Sequence, residues 1–199
     1  MGRADQRDAS RALLLDVARD LFARHGYDRT SVAMVSEAAG VTHGALYHHF
    51  GSKSVLFDEV LRAVASSVAE RIAEHARALS GWDRLVGALD TFLDQYAEPD
   101  VMAIMLNDGP RVLGRERFAE IDRIANDSLL AGLLRTAMDE GVLAERDVTV
   151  TALVLTGALE HAASVVADAE PARRPRVRAE VRALLLAWIG ALRVPDARR

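Results

Sequence analysis

Between Val41 and Phe50 the chain reads VTHGALYHHF: three histidines and a tyrosine within ten residues, with no lysine or arginine among them. Imidazoles this close together suit three kinds of chemistry: a metal site, an acid–base cluster, or a polar surface that touches a partner. Helical spacing disfavours the metal. His43 and His48 are five positions apart, roughly 140° around a helix, and the adjacent His48 and His49 differ by about 100°. No pair has the three- or four-residue spacing that shares a face. No Asp or Glu lies between Gly40 and Asp58 to complete a ligand set, and the chain has no cysteine. The expectation is no metal and no cofactor.

Catalytic patterns are also missing from the sequence, which has no P-loop, no G-x-G-x-x-G after a strand and no G-x-S-x-G. Glu160 beside His161, on a largely apolar stretch, is the one polar pair that stands out. It reads either as a satisfied core or interface histidine or as a polar fixture in a ligand cavity. The chain is not expected to be an enzyme.

The elements that must position these residues are helical. The 199 residues are half apolar and about a quarter charged, rich in Ala, Leu and Arg and poor in aromatics, a composition that favours helix over sheet. The longest apolar run, Ala183 to Leu192, is about half a membrane span, and the N-terminus does not read as a signal peptide. No membrane partner is expected, and a cytoplasmic location is. The net charge is −4, but residues 1–55 carry seven Lys/Arg against six Asp/Glu, so the acidity lies downstream.

Leu14, Val17, Ala18, Leu21 and Phe22 recur at helical spacing until Gly26 stops the first helix. A second helix starts at Thr30 or Ser31 and breaks at Gly40. A very short third spans about residues 42–49 with Thr42 as N-cap. A long helix capped by Ser52 runs toward Gly81. Further helices are expected at about 82–97, 100–107 (ending at DGP), 115–140, 147–169 and 175–193. The fold class is all-α with about nine helices. The chain is expected to divide into residues 1–51, a three-helix unit, and residues 52–199, a larger helical unit.

Segment 32–51 meets the demands of a helix-turn-helix together. Gly40 tolerates positive φ in the turn. Ser36 is small where the helices cross, and Val35, Ala39, Val41, Leu46 and Phe50 supply apolar anchors. The stretch TSVAMVSEAAGVTHGALYHHFGSKSVLFDEV, with AAGV, GALYHHF and SK in order, resembles the DNA-binding signature of TetR-family transcriptional repressors. The match covers residues 11–60 well. Beyond them it rests on helix count and on LNDGPRVLGRERFAEID, which is similar to a segment in some members. The family often has Ala, Lys and Glu where this chain has Ser36, His43 and Ser54.

The resemblance implies a DNA-contacting set of Thr30, Thr42, His43, Gly44, Ala45, Tyr47, His48 and Lys53. Thr42, His43 and Gly44 enter the major groove on the first turn of the recognition helix. Gly44 costs about 1 kcal/mol against Ala in a helix, a cost that close backbone approach would justify. Tyr47 and His48 look like phosphate contacts, and Lys53 offers a cation at its helix's N-terminus, where backbone N–H groups also face an anion. His49 is expected to pack or cap within the small domain. Arg3, Arg7 and Arg11 share a face if helical and form either an arm onto DNA or a disordered end. Because His43 stands where lysine is frequent, DNA affinity is expected to rise as pH falls from about 8 to about 6, where imidazole gains charge.

The helices near 147–169 and 175–193 are apolar on every face and must be covered on all sides. A two-fold dimer through Leu153, Gly157, His161, Val165, Leu184, Leu185, Trp188 and Leu192 does this. A deep monomer core is the other way. The resemblance also implies a small-molecule site between helices, with Phe92, Tyr96, Met102, Met105, Leu106, Phe118, Ile121, Asn126, Leu155, Glu160 and His161 as candidate lining. The expected protein is a homodimeric repressor on a palindromic double-stranded operator. A small-molecule effector would release it by tilting the long helix and changing the separation of the reading heads. The alternative is a regulator of the same fold without such a ligand, answering to a protein partner or acting as activator.

Overall fold

The computed structural model describes residues 3–194, except for the side chains of 3–8, 122 and 124–128. Among the described residues it is all-helical, and its sole β pairing is an antiparallel bridge between Leu143 and Arg193. The described residues hold ten α-helical segments, one of them only three residues long, together with one π-helical segment. The chain forms two compact units, residues 1–65 with 99–121, and residues 66–98 with 122–199.

The first unit contains α1 (Arg3–Arg29), α2 (Val32–Ala38), α3 (His43–Phe50) and the start of α4 (Lys53–Arg77). Leu14, Ala18 and Phe22 of α1 are buried at i, i+4 and i+8, one apolar face of a helix. The backbone leaves helical geometry at Gly26 (φ 75°, ψ 165°), as its glycine suggests, and the helical turns to Arg29 resume beyond that kink. Ser31, not Thr30, caps α2, its hydroxyl accepting the Met34 N–H at 3.1 Å. Gly40 makes the turn at φ 66°. Thr42 caps α3, accepting the Ala45 N–H at 3.2 Å, and Gly51 closes it at φ 72°. Val35, Leu46 and Phe50 are buried as expected, while Ala39 and Val41 are only partly covered.

The same unit takes in residues 99–121. DGP does not end the helix there. Instead α6 (Pro99–Val101) runs into a π-helical segment, Met102–Asp108, and then into α7 (Gly109–Leu113), with Pro110 in its first turn. Gly114 (φ 79°) then leads to α8 (Arg115–Asp139). Gly109 is required by packing. A Cβ there would lie 2.7 Å from Leu61 and 2.9 Å from Phe118.

The second unit contains the remainder of α4 and of α8, with α5 (Gly81–Ala97), α9 (Val148–Asp168) and α10 (Arg174–Gly190). Leu85, Leu134, Ala137, Leu143, Ala152, Leu155 and Ile189 form its core. Arg182 of α10 grips Asp90 of α5 with two donors, one at 2.9 Å, and Arg178 pairs with Asp94 one turn away.

Candidate nucleic-acid interface

Helix α3 buries Leu46 and Phe50 and turns the opposite side outward, where Thr42, His43, Gly44, Tyr47 and His48 are all exposed and Ala45 is partly so. The His43 and Tyr47 rings, one turn apart, lie 5.2 Å between centroids. Nothing lies within 4 Å of a Cβ built on Gly44, so its surface is open to close approach. His43 Nδ1 is 3.4 Å from Ser36 Oγ, whose proton is committed to the Val32 carbonyl at 2.7 Å. That contact therefore works with Nδ1–H as donor and leaves Nε2 facing outward. His49 is half-buried, in line with a packing role.

Lys53 opens α4 behind the Ser52 cap. Its ammonium sits 4.0 Å from the Tyr27 ring centroid and 3.5 Å from the Asp28 carbonyl oxygen. Burial first, and then the Asp28 carboxylate, push the Tyr27 phenol above its usual value, so the ring beside the cation stays neutral. Sequence reasoning missed this Tyr27–Asp28 support. The Gly26 break before it was the available signal.

Two expectations need correction. Thr30 is 1% exposed, and its hydroxyl donates to the Leu21 and Gly26 carbonyls at 3.1 and 2.9 Å, so it closes the end of α1 and meets no DNA. Arg11 is no free arm. It pairs with Glu59 and lies over the Phe50 ring at 5.5 Å. The side chains of Arg3 and Arg7 lie outside the described residues.

A capped eight-residue helix, exposed on one face in hydroxyl, imidazole and phenol groups and following a partner helix across a glycine turn, has the form of a DNA-reading module. The model of the bacterial regulatory proteins of the tetR family matches residues 14–60, and that of the tetracyclin repressor-like C-terminal domain matches residues 82–189. The chain belongs to the TetR family of transcriptional regulators. That family is not enzymatic.

Among relatives of this TetR-family chain, the HTH-type transcriptional repressor KstR2 of Rhodococcus jostii is 30% identical over 135 residues. The alignment covers 66% of each chain, just under two thirds of that relative's length. The crystal structure of a TetR-family regulator from Pectobacterium atrosepticum superposes with a TM-score of 0.84 at 28% identity, covering 98% of both chains. The complex of RolR with its ligand resorcinol has a TM-score of 0.73 at 19% identity, covering 94% of this chain and 91% of that one, a likeness of fold.

Within the second unit, Ile72, residues of α5, α8 and α9, and Ile189 enclose a cavity of about 80 Å³. Of the candidate lining residues, Phe92, Tyr96, Leu155 and Glu160 face it. Met102, Met105, Leu106, Phe118 and Ile121 do not. They belong to the other unit, where Met105 and Ile121 are buried in packing. His161 is exposed and outside the lining, and the Asn126 side chain lies outside the described residues. Leu129, Leu133 and Thr156 line the wall unforeseen. The Thr156 hydroxyl oxygen is buried there with no hydrogen-bond partner.

The residues named for a dimer divide in two. Leu153, Gly157, His161, Val165, Leu184 and Trp188 are exposed, and Val150 and Val154 join them. Leu185 is buried in its own protomer and Leu192 packs against the core, so neither reaches that surface.

Proposed function

We propose that this protein is a homodimeric, effector-released repressor that reads a palindromic duplex with the exposed face of α3. The observation that carries the reading is that face: Thr42, His43, Gly44, Tyr47 and His48 side by side on a capped helix, with the Lys53 cation at the start of the next. Side chains at the N-terminal end of such a helix reach base edges, and Tyr47, His48 and Lys53 supply phosphate donors. In this reading residues 1–51 recognise DNA, residues 52–199 bind effector and partner subunit, and the protein works in the cytoplasm.

The exposed apolar residues of α9 and α10 support the dimer. Leu153, Gly157, His161 and Val165 follow one another at i+4 on one face of α9, and Leu184 and Trp188 do so on α10. Helix α9 is long and apolar enough to cross a membrane by length and composition. Glu160 and His161, however, fall within its central turns, where a bilayer penalises polar and ionisable side chains. A second copy accommodates them better.

The cavity supports the effector, and its lining suits a mostly apolar molecule with a hydrogen-bonding group for Thr156, beside Tyr96 and Glu160. RolR, a chain of this fold, was solved with resorcinol, a small aromatic diol. The second reading, regulation without a small molecule, is favoured by the cavity's size. At about 80 Å³ it is smaller than the ~150 Å³ that admits benzene, so a ligand must enlarge it. A thermal-shift panel of apolar phenols, alcohols and amines separates the two readings, because only the first predicts a stabiliser that also releases DNA.

The decisive experiment is selection of bound duplexes from a random pool. The expected product is an inverted repeat with half-site centres one helical turn, about 10 base pairs, or a multiple apart. Enrichment of single half-sites, or of nothing, would overturn the reading.

A further inference from the structure

Asp108 is the one charged residue that is buried among the described residues. It ends the π-helical segment Met102–Asp108, and its carboxylate meets both the break in α1 and Arg111. Its Oδ2 accepts the Tyr27 N–H at 2.7 Å, and the same oxygen would stand 3.6 Å from a Cβ on Gly26. Its Oδ1 accepts from Arg111 at 2.6 Å, and Arg111 reaches on to the Asp28 carboxylate at 2.9 Å. One carboxylate and one guanidinium thus hold Gly26, Tyr27 and Asp28 in place. Those residues in turn hold Lys53, through the Tyr27 ring at 4.0 Å and the Asp28 carbonyl at 3.5 Å.

A buried carboxylate is a poor way to gain stability, since a well-packed apolar side chain in its place is often neutral or better. What a charged acceptor supplies is a fixed geometry. The π register aims it. One residue less in that turn would swing the Asp108 side chain by about 100° around the helix, away from the Tyr27 N–H.

We propose that Asp108, with Arg111, is a positioning residue for DNA binding, fixing the Gly26–Asp28 turn so that Lys53 is presented to a phosphate. The proposal rests on the reading of Lys53 as a phosphate contact, and the test separates the two. Binding to the selected operator is measured by fluorescence anisotropy across a salt series for the unaltered protein, Asp108→Asn, Lys53→Met and the double variant, with a melting curve for each. Lys53→Met is expected to lower the slope of log affinity against log salt by about one. Asp108→Asn is expected to weaken binding by roughly three- to tenfold and to lower the slope in the same direction, as a displaced contact does. In the Lys53→Met background it is expected to change nothing further, because its target is already gone.

An equal loss from Asp108→Asn in both backgrounds overturns the proposal, and so does an unchanged affinity in a folded variant. An unchanged slope for Lys53→Met instead overturns the phosphate reading beneath it. Should Asp108→Asn fail to fold, Arg111→Met takes its place in the cycle. Arg111 is half-exposed, and its loss frees Asp28 while leaving the Tyr27–Asp108 bond, so the same direction and the same non-additivity are expected.

Discussion

Tyr47 and His43 face the same way, yet substitution separates what each contributes. The Tyr47 phenol is 45% exposed and its ring leans on His43, so Tyr47→Phe keeps the packing and removes one neutral donor. The expected loss is about 1 kcal/mol, roughly fivefold, on operator and scrambled duplex alike, with the salt slope unchanged because no charge is lost. Anisotropy titrations on both duplexes check this, and a loss on the operator alone would reassign Tyr47 to base reading. His43 is a different case. With Nδ1–H turned to Ser36, the ring offers DNA an acceptor at Nε2. His43→Lys replaces that acceptor with a cation and is expected to steepen the salt dependence of binding by about one in slope, which anisotropy across a salt series checks. These residues were legible because exposed groups on a short helix follow from spacing alone. Thr30 was not. A threonine before a helix reads equally as a cap or a contact, and only the carbonyls left open at Leu21 and Gly26 decide that it serves neither role.

At the scale of elements, the caps Ser31, Thr42 and Asp147 and the breaks at Gly26, Gly40 and Gly141 fell where local chemistry places them. The 99–113 segment did not, because Asp-Gly-Pro reads as a stop when only neighbours are considered. Tertiary partners of Asp108 and the tight approach of Gly109 to Leu61 hold it helical instead. The cavity was half legible for the same reason. Which of two equally apolar helical segments faces a void depends on packing that periodicity does not encode. The pairing of α5 with α10 carries its own pH signature. The Arg182 hydrogen bonds outweigh desolvation and, with the nearby charges of Arg182, Arg178 and His75, hold the Asp90 carboxyl below its ordinary value. A carboxyl depressed in the folded state contributes stability that is fully present above its unfolded value near pH 4, and loses it as pH falls through the lower folded value. Asp90→Asn is accordingly expected to lower the melting temperature modestly at pH 7, the pair being partly exposed. The gap from the unaltered protein should close as the pH is taken from about 4 toward 2. A gap that persisted at the acid end would mean that the asparagine perturbs packing rather than charge.

For the whole molecule, the question is what covers the apolar residues that one chain leaves in water. Leu153 is 67% exposed and Trp188 59%, whereas Leu185, one turn before Trp188 on α10 but rotated toward the core, is 3% exposed. These two positions on α10 make opposite predictions. Trp188→Glu or Leu153→Arg alters nothing in the protomer core, so the melting profile of the isolated subunit should survive. A charge buried against a second copy is strongly unfavourable, however, and the protein should sediment at half the mass. Operator affinity should then fall by a hundredfold or more, because two reading heads joined in one particle gain avidity of about 10²–10⁴ over one alone. Leu185→Ala should do the reverse. It opens a cavity in the protomer at a cost of about 2–5 kcal/mol and leaves the dimer intact at temperatures where the fold persists. Analytical ultracentrifugation with operator titration on the three variants reads both outcomes. If Trp188→Glu and Leu153→Arg both remain at the mass of the unaltered protein and still bind the inverted repeat, the exposed face of α9 and α10 is not where the subunits meet. The avidity would then have to come from another surface.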